Sequence, residues 1–376
     1  MRSRKNILSE VKKLRQNLHQ FPEPGFQESK TSSILKKFLR RHHLKYKSYR
    51  TGLTVDLGRP LVAIRTDIDG LPVVEKTGFR YRSKHRGYMH ACGHDFHMAI
   101  TTLTLLKLKE RGVGGVRAIY QPSEEGPDSG AKFLIRQGVL RGIKAIFALH
   151  LDPSIPLGKI AIREGTFMAA ATHFKITIQG KASHAALPHL GNDTICCASR
   201  LVTDLQVVVA RKKHPIKPGL ITVGKISGGE RFNILAKETV LEGTIRALDM
   251  SVLKFLKDEV QKLCRGLSND YQVKVTTWFS EDFPPVVNSH KLVEIVFNAA
   301  TSILGRNSVL GISATMGSED FSYYQMKIPG VMFMLGVKDR RAGPIFPLHH
   351  ERFWAPDKVI EIGSEILYRC CCYYLS

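Results

Sequence analysis

The sequence predicts an α/β protein: a catalytic domain built on a mostly parallel, mixed sheet, with a smaller ferredoxin-like α+β domain inserted into it. Three observations predict this. Short apolar runs alternate with amphipathic stretches in the first part of the chain. Between 172 and 283 the rhythm changes to strand, helix, strand, strand, helix, strand, the split βαβ order. After 284 the first rhythm returns. The expected division is therefore a discontinuous main domain, 1–171 and 284–376, and an inserted domain, 172–283.

The elements follow in order. "LVAIRTD" (61–67), "VRAIYQP" (116–122), "KAIFALH" (144–150) and "VMFMLGV" (331–337) are continuous apolar runs of strand length, as expected for strands buried on both faces. "FHMAITTLTLLKLKERG" (96–112) reads as a helix, with Asp95 as its N-cap and Gly112 near its end. "GAKFLIRQGVL" (130–140) reads as another. In the inserted part "HFKITIQG", "GLITVGKISGG", "TVLEGTIRAL" and "YQVKVTTWF" alternate as strands do, while "DTICCASRLVTDLQVVVARK" and "SVLKFLKDEVQKLCRGL" have helical spacing. "LVEIVFNAATSIL" (292–304) resumes the main domain as a helix.

Composition narrows the function classes. A 43% hydrophobic chain of 376 residues has ample material for a core. Its apolar runs fall far short of the roughly 20 residues a membrane span needs. The basic N-terminus "MRSRKNILSEVKKLRQNLHQF" lacks the apolar stretch of a signal peptide. Seven cysteines, several of them adjacent and none in a CxxC, do not make a disulfide framework. The expectation is a soluble protein of a reducing, cytoplasmic compartment. The net charge of +23 is spread over scattered clusters, unaccompanied by a nucleic-acid-reading motif or a phosphate loop. It reads as solvated surface that attracts small anions, with neither nucleic acid nor membrane as partner.

The chemistry gathers at strand ends. Asp67 closes one strand, "QPSEEGP" with Glu124 and Glu125 follows the next, and His150 ends the third. Ligands of open α/β sheets collect outside the carboxyl ends of the strands. "HACGHDFH" packs His90, Cys92, His94, Asp95 and His97 into eight positions before a helix, and "PLHHE" follows the last strand. A Cys, His and Glu set suits a borderline divalent ion such as zinc, nickel, cobalt or manganese. Cys92 and His94, two apart, project to the same side of an extended backbone. Of two adjacent glutamates, one can bind an ion while the other moves protons at the substrate. His90 and His97 read as supporting neighbours. Cys92 as a nucleophile with a histidine base is the rival scheme, but it leaves both glutamates without a role.

In this order, "RTDIDGLP", "MHACGHDFHM", "YQPSEEGP", "ALHLDP", "GKASHAALPH", "NILAKETVLEGTIR", "GSEDFSYY" and "PLHH" resemble the M20 metallopeptidase clan, in particular its amidohydrolase branch. The resemblance covers nearly the whole chain. It implies a zinc-exopeptidase-like catalytic domain holding two divalent ions, an inserted lid through which a homodimer forms, and hydrolysis of linear amides in small N-acyl amino acids. Carried over by motif, Cys92, His94, Glu125, His150 and His349 would ligate metal. Glu124 would be the general base beside Glu125, and Asp67 would orient a ligating histidine or the centre itself. His184 would stabilise the oxyanion, and Asn233 and Arg246 would hold the substrate carboxylate. Many members carry a histidine where this chain has Arg65, which cannot ligate, and an aspartate where it has Cys92.

Overall fold

The computed structural model describes residues 4–339 and 343–376. The chain forms two compact units. One comprises residues 1–165, 287–313 and 320–376, and the other residues 166–286 and 314–319. The second unit thus begins ahead of the expected 172 and runs past 283, since it takes in residues of the short strand Gly165–Met168 before the strand Ala170–Gln179. No helix among the described residues is long and apolar enough to cross a membrane.

The first unit is built on an eight-stranded sheet. Its strand order is Tyr46–Tyr49, Gly52–Leu57, Val116–Gln121, Val62–Asp67, Ala145–Pro156, Gly330–Lys338, Ile160–Ile162, Val309–Gly311. The central four run parallel to one another, and antiparallel strands flank them. This is the mixed, mostly parallel sheet expected. The strand Val62–Asp67 is buried along its whole length. The core is one cluster that includes Ile64, Phe147, Phe333, Leu103, Val296 and Ile366.

Helix His94–Glu110 is buried on almost every side, its histidines and threonines included, so its apolar residues form no single stripe. Its cap differs from the expectation. The N-cap is Gly93 at φ 82°, and Asp95 lies in the first turn. Asp95 is occupied elsewhere: it accepts from His19 Nδ1 at 2.9 Å and lies 3.6 Å from Arg15 Nη1. A second difference concerns His150. Its strand does not stop there but runs on to Pro156, held by pairing with Gly330–Lys338.

The second unit has the expected βαββαβ order. Its antiparallel sheet runs Lys274–Phe279, Ala170–Gln179, Glu238–Ala247, Gly219–Gly228, and its helices are Thr194–Val207 and Met250–Asp270. Phe174, Leu201, Leu241 and Leu256 lie in its core. All seven cysteines are free thiols, and Cys196 on the first of these helices is exposed.

Candidate metal centre

Chain segments far apart in sequence meet at the carboxyl end of the central strands. Cys92 Sγ lies 3.4 Å from His150 Nε2 and 3.3 Å from His349 Nε2. His349 Nε2 is also 3.3 Å from Glu125 Oε1. His94 Nε2 is 4.0 Å from Glu124 Oε2 and 3.9 Å from Glu125 Oε1. Cys92, His94 and His150 form one compact donor group, and Cys92, Glu125 and His349 form another, so Cys92 is common to both.

Local structure sets each orientation. The left-handed Gly93 turns the chain between Cys92 and His94, so the two donors converge through a turn into a helix and not along extended backbone. A Cβ at Gly93 would sit 3.1 Å from Leu151 Cδ1, and positive φ already favours glycine there. His349 has φ 64°, and its backbone N–H donates to Ala91 O at 2.9 Å, which ties the "PLHH" loop to the residue before Cys92.

Hydrogen bonds fix which nitrogens face inward. His150 donates from Nδ1 to Leu151 O at 2.8 Å, so Nε2 turns a lone pair toward Cys92. Burial pushes His150 down to about 3, which keeps it neutral. His94 Nδ1 donates to Asp69 O at 3.1 Å and lies 3.2 Å from Asp69 Oδ1. Its Nε2 is buried without a hydrogen-bond partner, and so is Glu125 Oε1. Buried orphans of this kind carry a desolvation cost that a cation between them would remove. Burial works to lower His94, but Asp67 and Asp69 outweigh it and push its pKa up to about 10. Burial works to raise the Glu125 carboxyl, which His349 and His94 nevertheless hold below its ordinary value.

The donor set therefore fits the divalent ions that the motifs imply. It fits the rival thiol scheme poorly. Burial pushes the Cys92 thiol well above its ordinary value, and Glu125, Glu124 and Asp67 push it further. Only a cation would stabilise the thiolate here.

Asp67 and His97 form the support behind the cluster. Asp67 accepts from His97 Nδ1 at 2.8 Å and from Arg65 Nη1 at 2.8 Å. Burial opposes its ionisation, but His94, His97 and Arg65 hold the carboxyl well below the usual range. His97 Nε2 accepts from Leu151 N at 3.1 Å, so this ring has no lone pair left for a metal. Arg65 is buried and reaches Asp67, Gln121 and Asp320. Sequence reasoning missed Asp69, which both holds His94 and accepts the Glu125 backbone N–H at 2.9 Å. The only signal was the two-residue spacing of the aspartates in "RTDIDG".

The remaining expected site residues lie in the second unit. His184 is exposed, and its Nδ1 accepts from Ala186 N at 3.1 Å. Asn233 lies on the adjoining segment, where its carbonyl accepts from Ala185 N at 3.0 Å. Arg246 is half-buried in the strand Glu238–Ala247 and donates to Met316 O at 2.7 Å.

The sequence pattern of the peptidase family M20/M25/M40 matches residues 63–372. The chain belongs to this family. Its M20 relatives include an N-acetyldiaminopimelate deacetylase of Geobacillus sp. (strain WCH70), 37% identical over 94% of this chain and 95% of the relative. An N-acetyl-L-cysteine deacetylase of Bacillus subtilis (strain 168) is 36% identical over 94% of this chain and 86% of the relative. Among solved structures, the Bacillus subtilis YXEP protein, described as a dinuclear metal binding peptidase from the M20 family, superimposes with a TM-score of 0.86 at 28% identity, covering 99% of each chain. M20 membership and this likeness agree with the clan and the fold class expected from the motifs.

Proposed function

We propose that this M20 chain is a metal-dependent deacetylase that hydrolyses N-acetyl-LL-2,6-diaminopimelate to acetate and LL-2,6-diaminopimelate, a step of lysine biosynthesis. The observation that carries the reading is the convergence of Cys92, His94, Glu125, His150 and His349 with Glu124 beside them. The relatives named for this substrate support the choice of amide. Two divalent ions held by those five residues, drawn from zinc, manganese, cobalt and nickel, would supply Lewis acidity toward the acetamide carbonyl.

The chain's own groups do the rest. Glu124 takes a proton from the attacking water and returns it to the nitrogen as the C–N bond breaks, releasing acetate and the free amine. Asp69 and Asp67 hold the His94 and His97 rings behind this carboxylate. His184 has Nδ1 engaged as an acceptor, which leaves Nε2–H to donate to a developing oxyanion, a contact worth about 3 kcal/mol in comparable hydrolases. Asn233 and Arg246 hold the substrate carboxylate. The inserted unit is the homodimerisation surface, and its exposed Leu187, Leu190, Phe232 and Ile234 provide apolar area for it.

The test is substrate profiling of metal-loaded protein. Acetyl-diaminopimelate should be turned over faster than N-acetyl-L-cysteine, N-acetyl-L-methionine or hippurate. Faster turnover of hippurate or acetylcysteine would favour the second reading, a broader N-acyl-amino-acid amidohydrolase, to which the 36% identity with the cysteine deacetylase lends weight.

A further inference from the structure

A cavity of about 480 Å³ adjoins the ligand cluster, with Asp69 and Glu125 in its wall. Its volume lies within the roughly 300–1,000 Å³ usual for small-molecule sites. Besides those two residues it is lined by Phe26, Arg50, Leu71, Tyr88 and Asp128. Its wall therefore carries one guanidinium, Arg50, and three carboxylates, of which Asp69 and Glu125 face the ligand cluster through His94 and His349 and leave Asp128 as the acidic group beside Arg50's cavity.

The chamber is built rather than incidental. Phe26, Arg50 and Ser123 line it with φ of 60°, 59° and 49°. L residues seldom adopt such angles, and they persist where the surroundings fix them. The surroundings here are close-packed. A Cβ added at Gly25 or at Gly126 would meet Ser123 Oγ at 2.4 Å. Glu28, fully buried, accepts from Thr51 Oγ1 at 2.6 Å with one oxygen and from Ser123 N at 2.8 Å with the other. One carboxyl thus clamps the residue after Arg50 to the loop that carries Glu124 and Glu125. The Arg50 guanidinium lies over the Phe26 ring at 4.4 Å, which orients its plane. Among the described residues no carboxylate is paired with it, and it is exposed to the cavity's solvent.

From this arrangement we propose that the cavity is the specificity subsite for the far end of the substrate. Arg50 binds a carboxylate there and Asp128 an ammonium, so the site selects N-acyl amino acids whose side chain ends in a second aminocarboxylate. The inference rests on the deacetylase reading and sharpens it. With the acetamide at the ligand cluster, the diaminopimelate side chain carries an α-amino and an α-carboxyl group at its remote carbon, matching the two charges. The side chain of acetylcysteine ends in a thiol and presents neither. A planar guanidinium stacked on a ring suits a carboxylate better than lysine would.

The experiment compares kcat/KM for acetyl-diaminopimelate and N-acetyl-L-methionine in the metal-loaded wild type, Arg50→Met, Arg50→Lys and Asp128→Asn. The ratio between substrates is the readout, because a general loss of fold or metal lowers both alike. In Arg50→Met the preference for acetyl-diaminopimelate should fall about 10- to 100-fold, the range of a charge-assisted hydrogen bond, with the change in KM. Arg50→Lys should restore part of it, and Asp128→Asn should cost less. A wild type that prefers acetyl-diaminopimelate, with an Arg50→Met ratio within about threefold of it, would overturn the subsite and leave the deacetylase reading standing, since the contact expected is worth more. A wild type without that preference would overturn both.

Discussion

The ligand cluster has an inner and an outer bank, and they are built differently. On the inner bank Cys92, His94 and His150 are buried, and His94 and His150 each have a second ring nitrogen bonded to a backbone carbonyl. On the outer bank His349 is half-exposed at positive φ, and Glu125 sits on the loop after a strand. The inner donors are fixed before any ion arrives. The outer ones are placed by two loops, held by the His349 N–H donating to Ala91 O and the Glu125 N–H donating to the Asp69 carboxylate. A rigid bank beside an accessible one would give a centre that keeps its geometry yet admits ions and substrate from one side.

Four measurements break or sharpen this contrast. The largest effect should come from Glu124, which lies between the banks in function. Glu124→Gln should lower kcat about 10²- to 10⁴-fold while bound metal, measured by atomic absorption, stays at the wild-type level. Loss of metal along with activity would place Glu124 among the ligands instead.

The second tests the support of the inner bank through pH. Burial works to lower His19, but Asp95, on the helix that begins with His94, and Glu75 push it up to about 9 from an ordinary value of 6.5. Because the folded value is the higher one, this contribution is complete below pH 6.5 and disappears as pH rises through 9. Arg15, which also faces Asp95, stays charged throughout. Chemical denaturation should show on the order of 3 kcal/mol lost between those limits, and His19→Gln should flatten the profile.

Third, a chelator should abolish activity, and added divalent ion should restore it. The ion should also raise the melting temperature, by the equivalent of about 2.7 kcal/mol when its free concentration is 100 times Kd. Alkylating reagent should act slowly, because Cys92 is buried.

The smallest effect separates the banks directly. Asp69→Asn weakens the hold on His94 and should lower metal affinity about 10- to 100-fold with the fold intact. His349→Asn removes an outer donor and should speed ion dissociation more than it alters the melting temperature.

The contrast also explains what the sequence could reveal. Cys92 and His94 were legible because "HACGHDFH" crowds metal-binding side chains in a way soluble proteins seldom do, and His150 because it falls where an apolar run ends. The βαββαβ unit was legible from periodicity alone. Asp69 was not, because Asp67 and Asp69 are equivalent in a linear pattern until the strand ends at Asp67 and the chain turns. Asp95 looked like a cap because aspartate favours that position. It is instead drawn to His19 and Arg15, more than 70 residues away in sequence, a tertiary preference no local rule encodes. The left-handed angles of Arg50 and Phe26 were equally hidden, since neither residue type advertises positive φ.

The adjacent thiols Cys196 and Cys197 have opposite fates on one helix: the first faces solvent, whereas burial and its neighbour push the second up to about 11. Thiol reactivity follows exposure and acidity. A maleimide dye would therefore mark the inserted unit at Cys196 ahead of the partly exposed Cys372 and spare the buried Cys92, giving a fluorescent handle on that unit without engineering a new residue.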